Sequence, residues 1–247
     1  MISAASFKYI DAHTHAYEYE EKSLSNYEKE FLLIAVSDDA ESSKRTVKLS
    51  EDFKAVYPCV GIHPWNVSRS SREDIKTIEN MLENSESPCL GEVGLDARMH
   101  PETFERQKEF FASFLDIARE YDAILNIHTL DAWELVYELI TKKEINRAIF
   151  HWYNGPIELM QKIQETGYYI SINVALKMQK KHEEVARKAD LKKLLTESDG
   201  PYIYKGTLLK TEMIPEAIKY LAEIKGVGEN YLREKIYENF FDLVKKI

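Results

Sequence analysis

Cysteine is scarce in this chain of 247 residues, which has two, Cys59 and Cys89, each inside an apolar stretch. That excludes a small disulfide-stapled scaffold, and the pair reads as buried thiols in a reducing cytosol. Glycine and proline are also few, nine and seven, which excludes collagen-like and low-complexity chains. No run approaches the roughly 18 apolar residues that a membrane span needs. The start, MISAASFKYIDAH, lacks a positive end followed by a long apolar core, so it reads as no signal peptide. The expectation is a cytoplasmic protein with no membrane partner. Positive charge is short as well: 33 Lys and Arg against 42 Asp and Glu leave a formal charge of −9. Such a balance argues against holding nucleic acid on a broad basic surface and leaves open an enzyme that works at one local site.

What the chain does have is a repeating pattern. Short apolar runs alternate with amphipathic stretches from end to end: Lys8–Ala12, Phe31–Val36, Ala55–Ile62, Cys89–Val93, Ala123–Ile127, Arg147–Phe150, Tyr168–Asn173 and Lys193–Glu197. Several runs are β-branched or aromatic and nearly continuous, as parallel strands buried on both faces require. Between them, Phe104, Phe111, Phe114, Leu115 and Ala118 share one face at helical spacing. Eight such alternations in about 250 residues predict an α/β fold of the (β/α)8 TIM-barrel type, a single domain over residues 1–247. The polar segment Ala16–Glu30 leaves room for only a short first helix or a loop, and Glu212–Lys225 and Glu229–Ile247 predict two helices after the last strand.

The polar residues at the ends of these runs carry the chemistry. Five of the seven histidines sit there: His13 and His15 in Asp-Ala-His-Thr-His, His63 in Gly-Ile-His-Pro-Trp, His128 in Asn-Ile-His-Thr, and His151 in Phe-His-Trp-Tyr. Glu92 and Asp199 are placed equivalently. In a barrel all strand C-termini open onto one face, so residues scattered along the chain are predicted to meet. His13 and His15, two apart, project to the same side of an extended segment and form half a metal site. Four histidines (His13, His15, His128 and His151) and two carboxylates exceed one tetrahedral set, which suggests two divalent ions sharing a carboxylate. Their chemistry suits Zn, Mg, Mn, Co, Ni or Fe. Asp11, on the face of His13, reads as a supporting acid more than a ligand. His100 and His182 lie in polar helix-flanking sequence and are expected on the surface.

With these motifs in hand, the chain resembles the TatD family of metal-dependent hydrolases, a branch of the amidohydrolase-like barrels. The resemblance runs in order through Asp11-Ala-His-Thr-His15, Gly61-Ile-His-Pro64, Gly91-Glu-Val-Gly-Leu-Asp96, a helix with Gln107 and Phe111, Ile127-His128, His151 with its aromatics and Gly155, and Glu197-Ser-Asp-Gly-Pro-Tyr202. It implies that His13, His15 and Asp199 bind one metal, that Glu92 bridges, and that His128 and His151 bind the second. His63 would then contact the substrate's phosphate or leaving group. The implied activity is phosphodiester hydrolysis, often as a deoxyribonuclease, with a metal-bridging water and with Asp199 as general base beside Glu92. Relatives also cleave other ester bonds, including that of D-aminoacyl-tRNA, so an ester or amide hydrolase on the same site is the alternative.

Departures from the family pattern fall in the surroundings of that set. Leu130 stands where a basic residue is common, Trp65 replaces a second histidine, Trp152 and Tyr153 replace Cys-Phe, and Gly200 replaces a bulkier residue. Trp65, Trp152, Tyr153 and Tyr202 are expected near the mouth, where they could stack on bases or line a pocket for a smaller apolar substrate. The stretch Lys177–Lys193 carries a net +4 and reads either as a track for a nucleic-acid backbone or as a solvated helix face. A catalytically silent scaffold is the remaining reading, and it would hold no stoichiometric metal.

Overall fold

The structure, a computed structural model, describes residues 7–83 and 85–245. Of the expectations above, residues 1–6 of the leader reading and the last two residues of the final predicted helix lie outside that range. All eight apolar runs form parallel strands: β1 (Tyr9–Thr14), β2 (Phe31–Ala35), β3 (Val56–Pro58), β4 (Cys89–Asp96), β5 (Ile124–Leu130), β6 (Ala148–Phe150), β7 (Tyr169–Asn173) and β8 (Leu194–Glu197). Helices follow them in turn: α1 (Glu21–Glu30), α2 (Ala40–Asp52), α3 (Arg72–Leu82), α4 (Phe104–Tyr121), α5 (Trp133–Lys142), α6 (Ile157–Glu165) and α7 (Lys180–Lys188). After β8 come a short antiparallel hairpin, β9 (Tyr202–Tyr204) and β10 (Thr207–Leu209), and two helices, α8 (Ile214–Lys225) and α9 (Glu229–Val244).

The strands make a (β/α)8 barrel in which continuous ladders join β1 to β3 and β4 to β8. Two looser seams complete the ring. At the first, Val60 bridges Leu90, with Val60 N–H donating to the Cys89 carbonyl and Gly91 N–H to the Val60 carbonyl. At the second, β8 meets β1 through Thr196 Oγ1 on the Ile10 carbonyl (2.6 Å) and Asp199 N–H on the His13 carbonyl (2.9 Å). Both faces of β2, β4 and β7 are buried, which is why their sequences run apolar without alternation. At Gly94, φ is +146° and a Cβ would overlap the His128 carbonyl, so only glycine lets β4 approach β5 here.

Local signals set the helix ends. Asp39 and Ser42 cap α2 reciprocally, Ser71 and Asp74 do the same for α3, and Gly226 ends α8 at φ +67°. The stretch after β1 holds a single 3-10 turn (Ala16–Glu18) before α1, the short first helix foreseen. The β9–β10 hairpin was not foreseen, because each of its strands is only three residues long.

Two expectations are overturned. Cys59 and Cys89 are not free thiols but a disulfide across the first seam, with Cα atoms 4.5 Å apart. Thirty residues separate them in sequence, and only the side-by-side placement of β3 and β4 brings them together. His182 is not on the surface but fully buried. Its Nε2 accepts the Asn173 N–H (2.9 Å) and its Nδ1 donates to the Tyr153 carbonyl (3.0 Å), so the ring pins the end of β7. Its charged neighbours Lys181 and Glu184 are exposed and disguise a position that shares the buried face of α7 with Val185 and Ala186.

Breaking the cross-strand disulfide is expected to cost about 2–4 kcal/mol, the usual range for a loop of this size. Denaturant unfolding with and without reductant measures this. Coincident midpoints, or two titratable thiols in the unreduced chain, would contradict the bridge. Burial holds the His182 imidazole down at about 4, below the usual histidine value, so the unfolded chain binds this proton first. The His182 contribution to stability is therefore complete above pH 6.5 and is lost as the pH drops toward 4, by about 3 kcal/mol. The stability–pH curve of His182→Gln should lack this part of the acid loss; identical slopes would refute the assignment.

Candidate metal centre

Six strand-end residues named from the sequence meet in one cluster at the C-terminal mouth of the barrel. Glu92, on β4 and almost fully buried, lies at its middle and faces two groups of imidazoles through separate oxygens. Oε2 lies 3.1 Å from His13 Nε2 and 3.7 Å from His15 Nε2. Asp199 Oδ1 completes that side, 3.4 Å from His13 Nε2 and 3.3 Å from His15 Nε2. Oε1 lies 2.7 Å from His128 Nδ1 and 3.0 Å from His151 Nε2. His63 Nε2 is 3.2 Å from the same oxygen.

The outer nitrogen of each ring decides what the inner one offers. Asn126 donates through Nδ2 to the Ala12 carbonyl (2.8 Å), which turns its Oδ1 toward His13 Nδ1 (2.8 Å). His13 therefore carries its proton on Nδ1 and presents a bare Nε2 inward. His128 donates through Nε2 to Asp96 Oδ2 (3.1 Å), leaving Nδ1 bare. Glu197 Oε1 stands 3.5 Å from His151 Nδ1, and Asp38 Oδ1 stands 3.4 Å from His15 Nδ1. His63 differs. Its Nδ1 accepts the Trp65 backbone N–H (3.1 Å), so the proton of the neutral ring is on Nε2, which faces the cluster as a donor and not as a ligand.

Four lone pairs thus point at two carboxylates that can themselves only accept. Nitrogens also face one another, His151 Nε2 and His128 Nδ1 at 3.4 Å. Neutral side chains cannot satisfy that arrangement; it requires cations at the two sets of converging atoms, either protons or metals. The donor set fits divalent transition metals: His13, His15, Asp199 and Glu92 Oε2 could hold one, and the distances among Glu92 Oε1, His128 Nδ1 and His151 Nε2 suit another. Without metal the cluster binds protons. Burial pushes the His15 and His128 imidazoles down, but adjacent carboxylates outweigh it and hold both at about 9. His13 is raised in the same way. Glu92 and Asp199 are driven the opposite way: burial alone would raise them, but the surrounding imidazoles hold both well below the usual carboxylate range.

Asp96, Asn126, Glu197 and Asp38 were not singled out from the sequence. The signal was nevertheless there for two of them, since Asn126 and Asp96 stand an even number of residues from His128 and Glu92 along their strands. Asp11 supports the cluster as expected: its carboxylate accepts Ser198 N–H (2.8 Å), Ser198 Oγ–H (2.6 Å) and Thr211 Oγ1–H (2.8 Å), tying the loop after β8 to β1. Burial raises it to about 6 against those bonds.

Above the cluster opens a cavity of about 560 Å³. Trp65, Trp152 and Tyr202 line it, as does Leu130. Tyr153 does not: it is fully buried, with its hydroxyl donating to the Pro156 carbonyl (2.7 Å). Trp152 takes a left-handed conformation (φ 40°) at the end of β6, which turns its indole to the mouth and sends Tyr153 into the core. Tyr204 lines the wall instead, its ring 5.2 Å from that of Trp152. Gly200 is required by space, since a Cβ there would collide with the Tyr19 hydroxyl and lie 2.7 Å from Lys210 Cα. None of the seven cations in Lys177–Lys193 lines the cavity. Several are paired on the outside, Lys177 with Glu216, Arg187 with Glu183 and Lys188 with Glu184, as on a solvated helix face.

A barrel with this mouth is the architecture of metal-dependent hydrolases. The chain belongs to the TatD family: the model described as TatD related DNase matches residues 10–245. An uncharacterized metal-dependent hydrolase of Methanocaldococcus jannaschii is 28% identical over 97% of this chain and 98% of its own length. A mouse relative, whose name proposes deoxyribonuclease activity, is 24% identical over 87% of this chain and 78% of its own. The fold also matches the crystal structure of the TatD homologue YjjV of Escherichia coli, with a TM-score of 0.87 at 22% identity, covering 97% of this chain and 98% of that one.

Because bound metal must displace protons held at about 9, apparent affinity for zinc should rise with pH between 7 and 9, by about tenfold or more per unit. Competition with a chromogenic chelator across that range tests this, and a flat profile would contradict the proton-loaded cluster. Glu92→Gln should lower metal content at both sets together in elemental analysis; full retention would show that Glu92 is not shared.

Proposed function

We propose that this metal-dependent hydrolase cleaves phosphodiester bonds in DNA. The observation that carries the reading is the division of Glu92 between two nitrogen-rich sets, an arrangement suited to two adjacent divalent ions acting on one phosphate. Bound there, such ions would acidify a water and neutralise charge gathering on the phosphate oxygens. Asp199, held well below the usual carboxylate range by the cations that gather beside it, whether imidazole protons or bound ions, is in its proton-accepting form at neutral pH and serves as general base for the attacking water. His63, with its proton on Nε2, donates a hydrogen bond to a phosphate oxygen or to the leaving group. Trp65, Trp152, Tyr202 and Tyr204 supply ring faces at the mouth on which bases stack. The family description and the mouse relative's name support the same reading.

A second reading has its own support. Leu130 gives the cavity an apolar surface where a phosphate would favour a cation, which suits a carboxylic ester or amide, D-aminoacyl-tRNA included. Assay of the metal-loaded protein on single- and double-stranded DNA, bis(p-nitrophenyl) phosphate and p-nitrophenyl carboxyl esters separates the two. DNA and the phosphodiester should be turned over and the esters poorly, while the reverse order would favour the second reading. Asp199→Asn should fold normally by circular dichroism and lose about 10²- to 10⁴-fold in kcat. Near-wild-type turnover by well-purified variant would remove Asp199 as the base.

A further inference from the structure

Two cationic side chains, Arg69 and Arg98, line the cavity, and neither belongs to the metal cluster. They come from neighbouring segments, Arg69 from the 3-10 turn after β3 (Pro64–Arg69) and Arg98 from the loop after β4. Resting on the phosphodiesterase reading above, we propose that Arg69 and Arg98 form a grip for a second phosphate, one that neighbours the scissile group. The preferred substrate is then a nucleic-acid strand and not an isolated small diester.

Both guanidinium groups are oriented and neither is used up. Arg98 donates from Nε and Nη2 to the two oxygens of Asp131 (2.7 and 2.6 Å), a fork-to-fork pair that leaves Nη1 without a partner among the described contacts. Arg69 spends one donor on Asn66 Oδ1 (2.6 Å), and Asn66 in turn donates to the Asp38 carbonyl (2.8 Å). No carboxylate pairs with Arg69 among the described residues. A planar guanidinium held at one edge with donors free at another is the form that recognises phosphate oxygens.

The spacing between grip and chemistry is built in. Asp96 accepts the backbone N–H groups of Arg98 (2.9 Å) and Met99 (2.7 Å) on Oδ1. On Oδ2 it accepts His128 Nε2–H (3.1 Å) and Trp65 Nε1–H (2.5 Å). One buried carboxylate thus fixes a histidine of the cluster, the indole at the mouth and the backbone that carries Arg98. Four carboxylates, Glu18, Asp38, Glu92 and Asp199, line the same cavity, two of them inside the metal cluster, and Arg69 and Arg98 are the lysine or arginine side chains that its lining contains. Trp152 packs on Tyr202 and Tyr204 in the same cavity, with Lys205 Nζ 5.2 Å from the Tyr204 ring. A strand laid across the mouth would meet both arginines and rings.

The test compares metal-loaded wild type with Arg69→Gln, Arg98→Gln and Arg98→Lys. Two substrates are used: a thymidine trinucleotide, which has a neighbouring phosphate, and thymidine 5′-(p-nitrophenyl phosphate), which has none. The expected result is that the ratio of kcat/KM values, trinucleotide over nitrophenyl diester, falls about tenfold in each glutamine variant and less in Arg98→Lys. In binding titrations of a labelled single-stranded oligonucleotide, the slope of log affinity against log salt should become shallower by about 0.7 for each arginine removed. A ratio within twofold of wild type, or an unchanged salt slope, overturns the grip while leaving the phosphodiesterase reading intact. Wild type that cleaves neither diester overturns that reading and the grip with it.

Discussion

The structure turns on a buried carboxylate that has too many nitrogen neighbours. Glu92 offers two oxygens, and five imidazole nitrogens stand within 3.7 Å of them. Removing an ionised carboxylate from water costs several kcal/mol, and neutral rings whose lone pairs point inward cannot offset it. Only positive charge between the atoms satisfies the arrangement, which makes the cluster a receptor for cations by its electrostatics alone. The inward nitrogens are bare because the outward ones are occupied. The Ala12 carbonyl orients the Asn126 amide, and the amide sets the His13 proton. Asp96 does the same for His128. These outer contacts come from the barrel strands themselves, so the fold and the ligand geometry are a single object.

That coupling extends outward to the mouth. Asp96 ties His128 to Trp65 and to the backbone of Arg98, while Asp11 ties β1 to the loop that carries Asp199. The second seam of the barrel therefore does more than close the sheet, since it positions Asp199 against His13 and His15. His63 stands apart among the histidines. The backbone N–H it accepts converts it from a ligand into a donor, a distinction invisible in residue type and decided by one hydrogen bond.

Much of this was legible along the chain because parallel strands obey two simple rules. Their ends open on one face, and alternate residues share a side. The positions of His13, His15, Glu92, His128, His151 and Asp199 at the ends of apolar runs were therefore a statement about space. The failures share a different cause. Tyr153 follows Trp152 in sequence, but a left-handed turn at Trp152 sends the two rings to opposite environments. His182 sits in a charged helix, and its burial depends on which face α7 lays against β7. The bond between Cys59 and Cys89 depends on β3 and β4 being neighbours at a seam. None of these is a property of a local segment.

The sequence alone determined the alternation of strand and helix, the barrel, and the inventory of nitrogen and oxygen donors with the side of each strand on which they lie, because period and burial are written locally. The tertiary structure decided which nitrogen of each ring faces inward, which aromatic residues reach the mouth, that the cysteines join, and that two arginines from separate loops line one cavity. Those outcomes follow from hydrogen bonds and packing between segments distant along the chain, and such partners exist only once the ring of strands has closed.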